Sequence, residues 1–229
     1  MNGLYSNGRY CMEVLKQCIG SMSGDVDVNG FCQIMTKSIY SKYLEFNIDI
    51  ERLKLHPEER LTASAVVYSS KWRQIWMVGD CQCIAGGRCY DNPKPYEQEM
   101  ACKRASYLNN VINNGVTQAE IRLKDCGREC ILPDLVKCCA EQNVSYAVID
   151  GFDIPMDKVR IIKVDENINE IVLASDGYPF LKPTLQESEL ALMRQLENDP
   201  LCINTFKATK GLMSGYNSFD DRSYLRFRI

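Results

Sequence analysis

The chain has 229 residues and carries 27 Lys and Arg against 30 Asp and Glu, a formal net charge of −3. That near-balance argues against a nucleic-acid binder, which usually has a basic surplus. Hydrophobic residues at 45% and charged residues at 25% exclude a mainly disordered or fibrous chain, and no apolar run reaches the roughly 18 residues of a membrane span. The opening residues MNGLYSNGRYCMEV lack a basic segment followed by an apolar one, so no signal peptide is expected and a cytoplasmic protein is.

In chain order, residues 9–22 read as a helix, with Cys11, Val14, Leu15, Cys18 and Ile19 on one face. A second helix is expected over 30–46, where Phe31, Met35, Ile39 and Tyr43 recur in steps of four. The charged stretch 47–60 reads as a connection. LTASAVVYS and QIWMV then form a hairpin of two buried strands around a turn near Ser70-Lys71. CQCIAGGRCY adds a strand and turn, in which alternation lets at most one of Cys81 and Cys83 face the core. Trp72 and Trp76 are expected to share a strand face or flank the turn.

Helical spacing returns over 96–113 through Ala101, Ala105, Leu108 and Ile112. A short helix, a break near Gly127 and a further helix are expected over 117–142, and strands at 146–150, 159–164 and 170–174. Thr184 and Glu187 make a capping box for a helix over 185–197. A shorter helix is read after Asp199-Pro200, and SYLRFRI alternates as a last strand with Arg222, Arg226 and Arg228 on or beside a solvated face. There is no repeat or linker, so residues 1–229 read as a single domain. Hairpins and meanders make it an α+β fold with mainly antiparallel sheets.

The reactive residues narrow the chemistry by exclusion. Twelve cysteines without a secretory signal read as reduced thiols, several of them core residues. Cys126 and Cys130 supply only half of a zinc signature. The single histidine, His56, stands in the polar stretch LKLHPEER, and no nucleophile elbow accompanies it. Cys83 and Arg88 have four residues between them, one too few for a cysteine-phosphatase loop, and no Walker-type phosphate loop occurs.

What remains are carboxylates at strand ends. Asp80 follows IWMVG, Asp176 follows IVLAS, and Asp220-Asp221 precedes the last strand. Each alone is ordinary turn chemistry. Together they can converge on one rim, where hard cations such as Mg²⁺ or Mn²⁺ take a few carboxylates and keep several waters.

Three segments carry a resemblance. LTASAVVYSSKWRQIWMVGDCQCIAGGR is similar to the central hairpin of the metal-dependent protein phosphatases of type 2C, EIVLASDGYPFL to that family's strand ending in Ser-Asp-Gly, and SFDDRSYLRF to its closing motif and last strand. The order agrees over about residues 9–229. The resemblance implies a four-layered αββα sandwich of two antiparallel sheets flanked by helices. It implies hydrolysis of phosphoserine or phosphothreonine by a water activated between two Mg²⁺ or Mn²⁺ ions. Asp176 and Asp220 would be ligands of that centre, and Asp80 would serve an additional cation position.

The chain departs from the family pattern in places. Gln82-Cys83 stand where Ser-Arg is usual, and Phe180 where many members have a further aspartate. The opening MNGLYSNGR resembles the turn just after the family's first ligand strands. The fold is therefore expected to be N-terminally incomplete, with a reduced cation load and sheet edges open to pairing in a homodimer. A phosphoprotein substrate is expected, with no nucleic acid and no membrane. The alternative is a non-catalytic phosphatase-like domain that binds or senses a regulatory protein.

Overall fold

The computed structural model describes residues 6–229. The start of the Gly-rich turn read in MNGLYSNGR lies outside them. By packing, the chain forms two compact units. The first comprises the residues up to Cys81, Cys139–Asn169 and Ile229, and the second comprises Gln82–Cys138 and Glu170–Arg228.

The first unit starts with helices α1 (Asn7–Ser21), α2 (Val28–Glu45) and α3 (Ile50–Leu55). The Ser6 and Asp27 side chains cap the first two by accepting from Arg9 N and Gly30 N. Its sheet holds β1 (Ala65–Ser69), β2 (Gln74–Val78) and β5 (Arg160–Lys163) in the antiparallel order β1-β2-β5. Cys11, Leu15, Phe31, Met35, Ile39, Trp76 and Val78 form one buried cluster, so the helices' apolar stripes close over one face of the central strand. The rings of Phe31 and Trp76 stand 5.7 Å apart. Trp72 flanks the turn, half exposed, with its indole N–H on the Val26 carbonyl at 3.0 Å.

The second unit contains β3 (Gln82–Ala85), β4 (Arg88–Asp91), β6 (Glu170–Ala174) and β7 (Tyr224–Arg228), in the antiparallel order β4-β3-β6-β7. Its helices are α4 (Glu97–Asn113), α5 (Gln118–Leu123), α6 (Cys126–Cys138) and α7 (Leu185–Asn198). Ala105, Leu108 and Ile121 pack with Leu201 and Ile203, while Leu192 and Leu196 of α7 pack with Cys202 and Phe219. The fold is α+β, with two antiparallel sheets and flanking helices. Among the described residues no helix is long and apolar enough to cross a membrane.

Five local expectations are corrected. The charged connection at 47–60 contains α3 and a 3₁₀ turn, because Asp49 caps the backbone N–H groups of Glu51 and Arg52. The expected strand at 146–150 makes only isolated bridges, Ile149 with Ala63 and Tyr146 with Gln142. It stops there because Asp150 turns inward onto Arg60. The helix break falls at Asp125, which caps Arg128 N at 2.8 Å, not at Gly127. No helix follows Pro200, since the Asp199 carboxylate takes the N–H groups of Ile203, Asn204 and Thr205 that a helix would use. Cys81 and Cys83 are both buried, because residues two apart on an extended chain point to the same face, so alternation puts both on the core side.

Candidate functional site

Asp80 belongs to the first unit, Asp176 and Asp220 to the second. Asp80 follows Gly79, whose φ is 86° and where a Cβ would lie 2.1 Å from Ser64 Oγ. Glycine lets the strand end fold tightly over Ser64. The Ser64 hydroxyl donates to Asp80 Oδ1 at 2.6 Å.

In the second unit the Ser-Asp-Gly turn leaves β6 beside the chain entering β7. Ser175 N donates to the Ser223 carbonyl at 3.2 Å, and Ser223 N donates to Ser175 Oγ at 2.9 Å. Gly177 is the point of closest approach: a Cβ there would lie 2.4 Å from the Asp221 carbonyl oxygen and 2.7 Å from Arg222 Cβ. The turn carrying exposed Asp176 and the segment carrying partly buried Asp220 therefore meet at one rim of the β6–β7 pair.

Neighbours hold both segments. Gln82 Nε2 donates to the carbonyls of Ser175 and Tyr178, at 3.1 and 2.9 Å, and so braces the turn from β3. Arg222 makes a two-pronged pair with Glu189 of α7, at 2.9 and 2.8 Å, which corrects its reading as part of a solvated face. The Tyr178 hydroxyl donates to the same Glu189 carboxylate at 2.6 Å. Arg222 holds the Glu189 carboxyl below the usual range. Burial, with Glu189 adding to it, pushes the Tyr178 phenol up to about 12.

A cleft of about 740 Å³ opens here, lined among others by Tyr178, Glu189, Lys210, Ser218, Asp220 and Arg222. The Ser218 hydroxyl oxygen is buried without a hydrogen-bond partner. Lys210 Nζ stands 2.5 Å from Asp220 Oδ1, and the same oxygen accepts from Asp221 N at 2.8 Å.

The donor set is carboxylate and hydroxyl oxygen, the chemistry that suits Mg²⁺ or Mn²⁺. An ammonium against Asp220 marks that carboxylate as a seat for positive charge. Asp220 belongs to no group of three candidate ligands among the described residues, so the rim offers carboxylates singly and not as an assembled cation cage. Thiols offer no comparable set: no group of three candidate ligands among the described residues includes a cysteine. Burial first, with Asp150 adding to it for Cys11 and Asp199 for Cys202, pushes those two thiols up to about 12, and burial raises Cys32 to about 11. All three stay protonated near neutrality. His56, Glu58 and Glu59 cluster at the surface, where Glu59 is already paired with Arg52.

No family model matches the chain, and no curated protein does. Among solved structures it is similar to a bacterial serine phosphatase, with 12% identity and a TM-score of 0.45 over 100% of this chain and 83% of that one. A second is the catalytic domain of the serine threonine protein phosphatase PstP in complex with 2 manganese ions, with 11% identity and a TM-score of 0.35 over 82% of this chain and 66% of that one. A third is a serine/threonine phosphatase from Staphylococcus aureus, with 12% identity and a TM-score of 0.39 over 83% and 71% of the respective chains. The solved structures it resembles are phosphatases. At these values the likeness assigns no residue a role.

Gln82, Glu189 and Lys210 were not readable as site residues from sequence. Gln82 shows in sequence only as a departure from the family pattern, and Glu189 and Lys210 act through partners 33 and 10 positions away.

Proposed function

We propose that this chain is a type 2C phosphatase-like domain that hydrolyses phosphoserine or phosphothreonine in proteins with the help of divalent cations. The observation that supports it is the seam at Gly177, where the Ser-Asp-Gly turn and the Asp220-Asp221 segment close on each other. Asp176 and Asp220 would hold Mg²⁺ or Mn²⁺ there, and Asp80 would serve an additional cation. Bound cations of this kind lower the pKa of a coordinated water and offset charge on a phosphoryl group. The protein's own part is placement. Gln82 fixes the turn beneath Asp176, and the Glu189–Arg222 pair ties the Asp220 segment to α7. The cleft beside Asp220 gives room for a phosphorylated side chain.

The test is Mn²⁺-dependent hydrolysis of a phosphoserine peptide by the wild-type chain and by Asp176→Asn. The substitution keeps the shape and removes the charge. The expected loss of rate is at least about 100-fold, the upper end of the cost of losing a residue that supports a metal ligand. Equal rates in the two proteins would remove Asp176 from the site.

A second reading has its own observation, the Lys210 ammonium on Asp220. A carboxylate already balanced by lysine suits a non-catalytic phosphatase-like domain that binds a regulatory protein. Calorimetric titration separates the readings: bound Mn²⁺ that requires Asp220 favours the enzyme.

A further inference from the structure

The last strand of the second unit's sheet, β7, has a strand partner on one side only. It ends the order β4-β3-β6-β7, and among the described residues no strand lies beyond it. The register shows which of its backbone groups β6 uses. Ser175 N donates to the carbonyl of Ser223, which stands opposite it one step before Tyr224 and Ala174 pair. In an antiparallel ladder, bonded and unbonded pairs alternate, so Leu173–Leu225 and Ile171–Phe227 are the next bonded pairs. The N–H and C=O groups of Tyr224, Arg226 and Arg228 therefore turn the other way, along the free edge.

The side chains along this edge differ by face. Tyr224, Arg226 and Arg228 share one face, and Leu225 stands on the other, 57% exposed. Arg226 pairs with Glu170 at 2.8 Å. Glu187 also lies within electrostatic range of Arg226, but the Thr184 cap at the start of α7 holds it. Arg228 lies opposite Glu170, is exposed, and makes no ion pair among the described residues. Charged edges commonly guard against self-association. That role explains neither the exposed Leu225 nor where the edge leads. Tyr224, at the start of β7, also lines the cleft, together with Arg222 and Leu185. Its hydroxyl donates to the Pro183 carbonyl at 2.7 Å, and its ring stands 6.0 Å from that of Tyr178. The free edge thus runs into the cleft past a fixed tyrosine.

We propose that the free edge of β7 is a docking strand for an extended acidic segment of the phosphoprotein substrate, paired antiparallel to it. This rests on the reading of the cleft as the seat of the phosphorylated side chain, and it requires no cation on Asp220. The phosphorylated residue sits beside Tyr224. A chain antiparallel to β7 arrives there from Arg228, so its residues four and two positions earlier stand opposite Arg228 and Arg226. Opposed residues share a sheet face, so both of those positions favour acids. The residue one position earlier falls beside Leu225 and is apolar. Main-chain bonds supply the affinity, and the alternating side chains supply the selectivity.

The experiment is fluorescence anisotropy of a labelled peptide, Glu-Thr-Glu-Leu-phosphoserine between glycine flanks, titrated with the full chain without added metal. A methyl group on the backbone nitrogen of the second glutamate removes an N–H that points at β7. The same methyl on the leucine removes one that points away. The first is expected to weaken binding about tenfold, the factor of one lost hydrogen bond, and the second about twofold at most. Replacing the first glutamate by glutamine should cost wild type about threefold, the scale of an exposed ion pair, and should cost Arg228→Gln nothing. Circular dichroism confirms that this variant is folded. Equal effects of the two methyl groups would overturn strand pairing, and the same glutamine cost in both proteins would overturn the acid selectivity assigned to Arg228. If plain serine replaces phosphoserine without loss and the methyl pattern persists, the docking strand stands and the cleft reading falls. Absence of binding overturns the proposal, and a chain that then sediments as a dimer gives the edge to a second copy.

Discussion

Asp150 shows how much one residue can organise. Its carboxylate is buried and accepts from Arg60 Nη1 at 2.9 Å, Asn143 Nδ2 at 2.8 Å and Phe152 N at 3.0 Å. The Tyr43 hydroxyl donates to the Asp150 carbonyl at 2.7 Å and accepts from Leu61 N at 2.8 Å. The Arg60 guanidinium lies 4.0 Å from the centre of the Phe152 ring. Removing the carboxylate would strand a buried guanidinium. Asp150→Ala is therefore expected to cost about 3–5 kcal/mol of stability, the usual cost of breaking a buried pair from one side. Urea denaturation measures it; a loss below about 1 kcal/mol would place the pair with exposed ones. From sequence, Asp150 reads only as the last residue of the strand expected at 146–150. Its partner Arg60 is ninety positions away, and no local pattern records a contact of that range. Asp176 and Asp220 are legible for the opposite reason: each stands where an apolar strand meets a turn.

At the scale of elements, long periodic runs were readable. The spacing over 30–46 matches α2, and the Thr184 signal matches α7, whose Thr184 side chain accepts from Glu187 N. Short polar elements were not, because α3 is stabilised by its Asp49 cap and carries one buried side chain, Leu53. The link from α7 to the segment before β7 is electrostatic and gives a pH prediction. Arg222 depresses the Glu189 carboxyl below its ordinary value of 4.5. A depressed folded-state pKa means that the stabilisation is full above about 4.5 and is lost as pH falls through the lower folded value. Glu189→Gln should therefore flatten the acid side of the melting-temperature profile below that pH, with little change in its slope at pH 6–8, where the unfolded glutamate too is ionised. Parallel wild-type and variant profiles below pH 4.5 would contradict the link.

At the scale of the whole molecule, the antiparallel character was legible because hairpin signals outnumber crossover patterns. The division into two units was not. Their residues alternate along the chain, so composition shows no boundary. In the second unit, β6 is an interior strand in the order β4-β3-β6-β7 and four of its five residues are buried. Deleting residues 224–228 would turn that apolar strand into an open edge. The truncated chain is expected to aggregate at concentrations where the full chain stays monodisperse by light scattering; a monodisperse truncated chain would show that β7 is dispensable as a cover.

The pairing of β6 with β7 also has a consequence during synthesis. Ile171 faces Phe227 across that ladder and Ala85 on its other side. More than half of the chain's length separates Ala85 from Phe227, so the sheet cannot close while the ribosome is still making its last strand. Until residue 228 has emerged, a nascent chain exposes β6 along one side. Chaperones that bind apolar extended segments should therefore engage the nascent chain once β6 has emerged, and a ribosome stalled between β6 and β7 should hold them longest.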